Sequence, residues 1–215
     1  MSWRVQACEA ARSRSIAYNV GITSPGRMGS GRPRSLVLLV MTSILTSFPL
    51  NLLAQSSAEE YSVKAAFLFH FAQFVDWPEG AFKDAGSPLT YCTIGEDPFH
   101  GSLDAALNGK TVGDRSLRVQ HFKQPQDIRG CHVLFVGTEE EEFFPAILAR
   151  VRGNSVLTVG ESEHFVKDGG MIGFLREENK IRFEINLDSA LGAKLKMSSR
   201  LLALAKAVIG GQKGT

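Results

Sequence analysis

Histidines and cysteines are the first residues to try for chemistry. The five histidines (His70, His100, His121, His132 and His164) show neither the H-x-H nor the H-E-x-x-H spacing that turns two imidazoles toward one metal. His100 and Asp104 could share a helix face, but surface pairs of that kind are common and this one is read as structural. Cys131 stands beside His132, and adjacent strand residues point to opposite faces, which argues against a thiol–imidazole dyad. GESEH at 160–164 has a His where a nucleophile elbow needs its second glycine. GGMIG at 169–173 precedes a strand instead of opening a helix, so it is no dinucleotide site, and no P-loop occurs. No catalytic residue, metal site or cofactor is expected. Arg182 and Glu184 share one side of a strand, read as a solvent-facing ladder opposite buried Phe183 and Ile185, or else as a patch for a small anion or partner. Gly169 and Gly170 suit a tight turn with positive φ, or a backbone nest for an anion.

The 215 residues allow one domain plus a leader. The formal charge of +2 misleads, because the first 58 residues hold six Arg and one acidic residue. That leaves 18 basic and 21 acidic residues in the remainder, about −3, with no basic stripe, so nucleic acid is a poor partner. A basic flank at Arg32-Pro33-Arg34, an apolar stretch, Pro49 and small residues at Ala54 or Ser56/Ala58 read as a cleaved signal peptide over 28–58. Residues 1–27 fit neither leader nor domain, and translation is expected to begin at Met28. The α/β domain is placed at 59–210, with 211–215 as a tail. Export makes Cys92 and Cys131, the remaining pair in the exported domain, a disulfide more readily than two free thiols or metal ligands.

The elements that must position these residues alternate. A helix runs from about 58 to 77 and stops at Pro78. PLTYCTIGED is a short strand, and Asp97 and Pro98 open a helix that ends at the Asn108-Gly109 turn. SLRVQHF alternates like a half-buried strand, while HVLFVG and SVLTVG are continuous apolar runs of central strands. Between those two, Thr138 is expected to cap the helix EEEEFFPAILARVRG, whose glutamates sit in its first turn. MIGFLREENKIRFEINL reads as two strands around a Glu-Glu-Asn-Lys turn. One or two helices follow, the last capped by Ser198 or Ser199 and closed by Gly210-Gly211. The pattern predicts a single α/β domain: a mixed, mostly parallel sheet flanked by helices, with a late antiparallel hairpin.

On a helical wheel, Val63, Phe67, Leu68, Phe71, Phe74 and Val75 form a core stripe. Lys64 intrudes on it, and its stem is expected to lie along the surface with the ammonium in water. Phe69 falls among the polar residues, either covered by a segment folding over the helix or offered to a partner or second protomer. His70, at the edge between the faces, is a rim residue of that same candidate surface.

Five segments in order, VKAAFLFHFAQFVDWPEGAF, CTIGEDPFHGSLD, CHVLFVG, SVLTVGESEHFVKDGGMIGFL and RFEINLDSALGAKLKMSSRLLALA, resemble the YfiR-like family of exported bacterial proteins. The likeness covers residues 60 to about 208. It implies a periplasmic α/β regulator without an active site, one that represses an inner-membrane diguanylate cyclase by binding its periplasmic sensory domain. Lower cyclic-di-GMP output and less biofilm would follow. It also implies a homodimer and an intradomain disulfide, for which Cys92 and Cys131 occupy the matching segments; a second cysteine pair found in some relatives is absent here. The partner would be such a cyclase or another membrane sensor. The alternative is a periplasmic small-ligand binding protein serving an outer-membrane receptor or sensor kinase, with Arg182, Glu184 and the Gly169-Gly170 turn near its pocket.

Overall fold

The computed structural model describes residues 51–211, so the expected leader up to residue 50, including Met28 and Cys8, lies outside the described residues. Eight strands form the main sheet, in the order β10-β8-β7-β6-β5-β2-β4-β3. Its parallel centre is β4 (Arg115–Phe122), β2 (Leu89–Ile94), β5 (Val133–Val136), β6 (Leu157–Gly160) and β7 (Ile172–Glu177). β8 (Lys180–Asn186) returns antiparallel to β7, and β10 (Ala207–Ile209) runs parallel to β8 at the edge. β3 (Thr111–Val112) closes the other edge antiparallel to β4. A separate two-stranded ladder joins β1 (Val75–Asp76) to β9 (Lys196–Met197). This is the expected mixed, mostly parallel sheet with a late hairpin.

Strands covered on both faces have no polar side to present, which is why β2, β5 and β6 are buried at every position. The two-residue period sorts their side chains. Leu89, Tyr91, Val133, Phe135, Leu157, Val159 and Ile172 face one core with α1 (Asn51–Gln73) and α2 (Ser102–Leu107). Cys92, Ile94, Leu134 and Val136 face the other, against Phe144, Ile147 and Val151 of α3 (Phe144–Val151). The hairpin turns on Glu178 and Asn179, both at positive φ (47° and 61°), the conformation of a two-residue type I′ turn. Asn186 caps α4 (Leu187–Gly192), and Ser198 caps α5 (Ser199–Leu204) by accepting the Leu201 N–H at 3.2 Å.

Several boundaries differ from expectation, each for a local reason. α1 ends at Gln73, not at Pro78, because Val75 and Asp76 join the ladder to β9 and the Ser198 N–H bonds the Phe74 carbonyl at 2.9 Å. Asp97 does not cap a helix at Pro98; its Oδ1 accepts the Phe99 N–H at 3.1 Å in a turn, and α2 starts only at Ser102. Thr138 is no helix cap either. The glutamates lie in a 3₁₀ segment, Thr138–Phe143, and the α-helix begins at Phe144 because Pro145 fits only its first turn. The last helix stops at Leu204, and the residues expected to extend it add β10 to the sheet.

α1 buries more than a single stripe because it is covered on more than one side, and its exposed strip runs through Ser62, Ala66, His70 and Gln73. Phe71 packs on Phe174 and Phe183 of the hairpin with ring centroids 5.6 and 4.9 Å away, and Phe67 lies 5.9 and 5.8 Å from the same two rings. Phe69, expected among exposed residues, is only 8% exposed and belongs to the core. The Lys110 ammonium, at the end of the α2 segment, sits 4.5 Å above its ring. Of the two explanations weighed for Phe69, the folding-over of a segment holds. Val63, placed in the stripe, is 41% exposed instead.

Candidate functional site

β2 passes the chain to β4 on one side, and the chain then returns past β2 to β5 on the other. The strand order therefore reverses between β2 and β5, and the loops leaving their carboxyl ends diverge into a crevice. A cavity of about 550 Å³ lies there, lined by Tyr61 of α1, Glu96 and Asp97 after β2, Glu139 and Glu140 after β5, and Glu161 after β6.

The best-built part of this crevice is a buried ionic clasp. Glu161 Oε2 accepts from Lys64 Nζ at 2.5 Å, with side-chain exposures of 6% for Lys64 and 7% for Glu161. Its Oε1 accepts from the Tyr61 hydroxyl at 2.9 Å, with the Thr138 N–H and hydroxyl both farther, at 3.4 Å. Lys64 also meets Glu60 Oε1 at 2.6 Å, and its ammonium lies 4.5 Å over the Tyr61 ring. Arg176 from the hairpin reaches Glu60 Oε2 at 3.3 Å. The Lys64 ammonium is thus not in water as expected; two carboxylates replace its hydration. Burial first, then the Glu161 carboxylate, pushes the Tyr61 hydroxyl far above its ordinary range, so it remains a protonated donor.

Chemically, both Glu161 oxygens are engaged and the Lys64 ammonium is shared between the Glu161 and Glu60 carboxylates. The group acts as a strap between α1 and the strand ends, its own polar atoms spent on one another, while exposed His100 lines the same crevice. Glu96, Asp97, Glu139 and Glu140 add negative charge around it. That field opposes phosphate at the place where parallel α/β sheets commonly bind it.

The residues singled out from sequence scatter around the fold. His70 is exposed, with Nδ1 3.0 Å from Gln73 Oε1. Arg182 and Glu184 share the face of β8 opposite buried Phe183 and Ile185, and neither lines the crevice. Gly169 has the expected positive φ, 104°. Gly170 does not; a side chain there would collide with the ring and backbone of Phe165, so close packing is its reason. Asp104 faces His121, at 3.7 Å, instead of His100. Cys92 and Cys131 form a disulfide, with Cα atoms 5.9 Å apart, joining β2 to the segment that leads into neighbouring β5. His132 is held by neighbours of its own: Nδ1 accepts the Thr90 N–H at 3.1 Å, and Nε2 donates to the Ala81 carbonyl at 3.1 Å.

Sequence reasoning missed Glu161 altogether. Its signal was a Lys embedded in an apolar stripe, which needs a buried anion, and a Glu directly after an all-buried strand is where one becomes available.

A family model described as YfiR/HmsC-like (DUF4154) matches residues 61–206. The chain belongs to the YfiR/HmsC-like family. That match spans every strand of the sheet except the edge strand β10, α1 from Tyr61 onward, the clasp residues Lys64 and Glu161, and the Cys92–Cys131 bridge. No curated protein matches this YfiR/HmsC-like chain. Among solved structures, a conserved domain protein from Vibrio cholerae O1 biovar El Tor is 10% identical, with a TM-score of 0.42 and coverage of 55% of this chain and 54% of its own. An ABC domain in complex with L-Trp from Streptococcus pneumoniae is 9% identical, with a TM-score of 0.43 and coverage of 56% and 55%. The chain thus spans about half the length of each, and no argument rests on likenesses of this size. No helix among the described residues is long and apolar enough to cross a membrane.

Proposed function

We propose that the protein is a periplasmic regulator that binds the periplasmic sensory domain of an inner-membrane diguanylate cyclase and represses it. Membership of the YfiR/HmsC-like family over residues 61–206 carries this reading. The chemistry of the described residues supports a binding role over catalysis: the cysteines are paired, His132 spends both ring nitrogens on backbone groups, and Glu161 is saturated. The protein acts as an exported homodimer that lowers cyclic-di-GMP and restrains biofilm formation.

The test is a pull-down from solubilised membranes with the protein as its cells produce it, together with cyclic-di-GMP measured in a deletion strain. A membrane cyclase should be recovered, and the deletion should raise cyclic-di-GMP and surface attachment. Recovery of no inner-membrane protein, with cyclic-di-GMP unchanged, would sink the reading.

A further inference from the structure

Charge is segregated along the strand axis. Acids crowd the carboxyl edge of the sheet, whereas the amino edge carries a cleft of about 880 Å³ whose charged lining is almost wholly basic. Lys83, Arg118, Arg129, Arg150 and Lys194 surround this cleft, and Glu79 is its one carboxylate among the described residues. All five cations are exposed. Arg150 donates to the Gln126 carbonyl at 3.2 Å. The other four side chains have no hydrogen-bonding or ionic partner among the described residues.

Four unpaired cations gathered in a concavity repel one another, in a domain whose acids outnumber its bases. The arrangement raises the local potential and is relieved by a bound anion. The cleft is also built. Arg118 lies beside Thr90 in the β2–β4 register, Cys131 is bridged to Cys92, and His132 ties the Thr90 N–H to the Ala81 carbonyl. Three segments of the wall are thereby held in place before any ligand arrives. The volume falls within the range of roughly 300–1,000 Å³ typical of small-molecule sites. Its aromatic neighbour is already occupied: Phe82 is stacked by the His132 ring at 4.4 Å and covered by the Arg115 guanidinium at 3.6 Å. Among the described residues, no open ring there offers a stacking platform for a base.

We propose that this amino-edge cleft binds a small soluble polyanion, one carrying two or more phosphate or carboxylate groups. Arg118, Arg129, Lys83 and Lys194 supply its charge-assisted hydrogen bonds. The assignment stands apart from the partner reading, since its test needs no membrane protein.

Calorimetry on the purified full-length product at low salt tests it, with pyrophosphate and citrate as the probes and spermidine as a cationic control. One site per chain is expected for at least one of the two anions, weakening as salt rises, with none for spermidine. Arg118→Gln combined with Arg129→Gln should weaken binding at least tenfold, with the unliganded melting curve unchanged. Lys83→Gln combined with Lys194→Gln, both outside the strands, serves if the arginine pair lowers the melting temperature. Arg182→Gln, on the far part of the sheet, should bind as the parent does. The proposal is overturned if neither anion binds, if the variants bind as the parent does, or if only phosphatidylglycerol vesicles or an acidic peptide bind.

Discussion

Lys64 shows how one residue can look misplaced until its partner is seen. An ammonium on an apolar helix face either reaches water or finds an anion, and here the anion is Glu161, ninety-seven residues away. Breaking a buried pair by removing one member costs about 3–5 kcal/mol, because the other charge is left uncompensated. Lys64→Met should therefore destabilise strongly, and adding Glu161→Leu should restore most of the loss; urea unfolding of the single and double variants measures both. Equal instability of the single and the double would show that the clasp is not an electrostatic unit. Phe69 carries the opposite lesson. Its place on the wheel is among polar residues, but a wheel shows one helix alone, and the α2 segment with Lys110 covers the side that the wheel leaves bare.

At the scale of elements, the segment between β1 and β2 is held by unusually specific contacts. Arg115 donates to the Asp84, Ala85 and Ser87 carbonyls at 3.0, 3.2 and 2.7 Å, and His132 donates to the Ala81 carbonyl. Burial holds the His132 imidazole below its ordinary 6.5; Arg115 adds to the depression, and the Ala81 bond partly opposes it. A protonated ring would also turn a second N–H toward the Thr90 N–H that Nδ1 now accepts. Below 6.5 the unfolded chain takes up a proton that the folded ring refuses. The contribution to stability is thus complete above 6.5 and declines as the pH falls toward the folded-state value. His132→Gln should flatten the stability-versus-pH curve on the acid side of neutrality, as read by urea unfolding at a series of pH values. An unchanged slope would assign the acid sensitivity to another group. Most of the other elements were plain in the pattern: apolar runs for β5 and β6, alternation for β4, and turn residues between the hairpin strands. The boundaries that differ are the end of α1, where Val75 and Asp76 join the ladder to β9, the start of α2, where Asp97 makes a turn, Pro145, where one proline splits a 3₁₀ turn from a helix, and β10, where a short apolar tail found a sheet edge.

For the whole molecule, the reversal of strand order between β2 and β5 is the organising feature, and the disulfide crosses it. The Cys92–Cys131 bridge closes a loop that contains α2, β3 and β4, so it ties one flank of the sheet to the other. In the chain-entropy model a loop of this length contributes ~3–4 kcal/mol. Cys92→Ser combined with Cys131→Ser should lose stability on that scale in thermal or denaturant unfolding, and thiol labelling of the denatured parent should find neither cysteine free. A labelled Cys92 or Cys131 would remove the bridge from the functional protein. The same reversal sets the two ends of the sheet against each other, with acids around the carboxyl-edge crevice and cations around the amino-edge cleft.

The sequence by itself determined the class of fold, the central strands and the hairpin, because these follow from local periodicity and turn chemistry, and the pairing of Cys92 with Cys131 followed once Cys8 was assigned to the expected leader. Its five ordered segments also sufficed to indicate the family. Tertiary structure alone decided the partner of Lys64, the covering of Phe69, the contact of Asp104 with His121 in place of His100, and the gathering of Lys83, Arg118, Arg129, Arg150 and Lys194 around one cleft. The physical reason is the same in each case. Periodicity reports which face of an element is buried, while the identity of what buries it depends on strand order, and strand order brings together residues that are far apart in the chain.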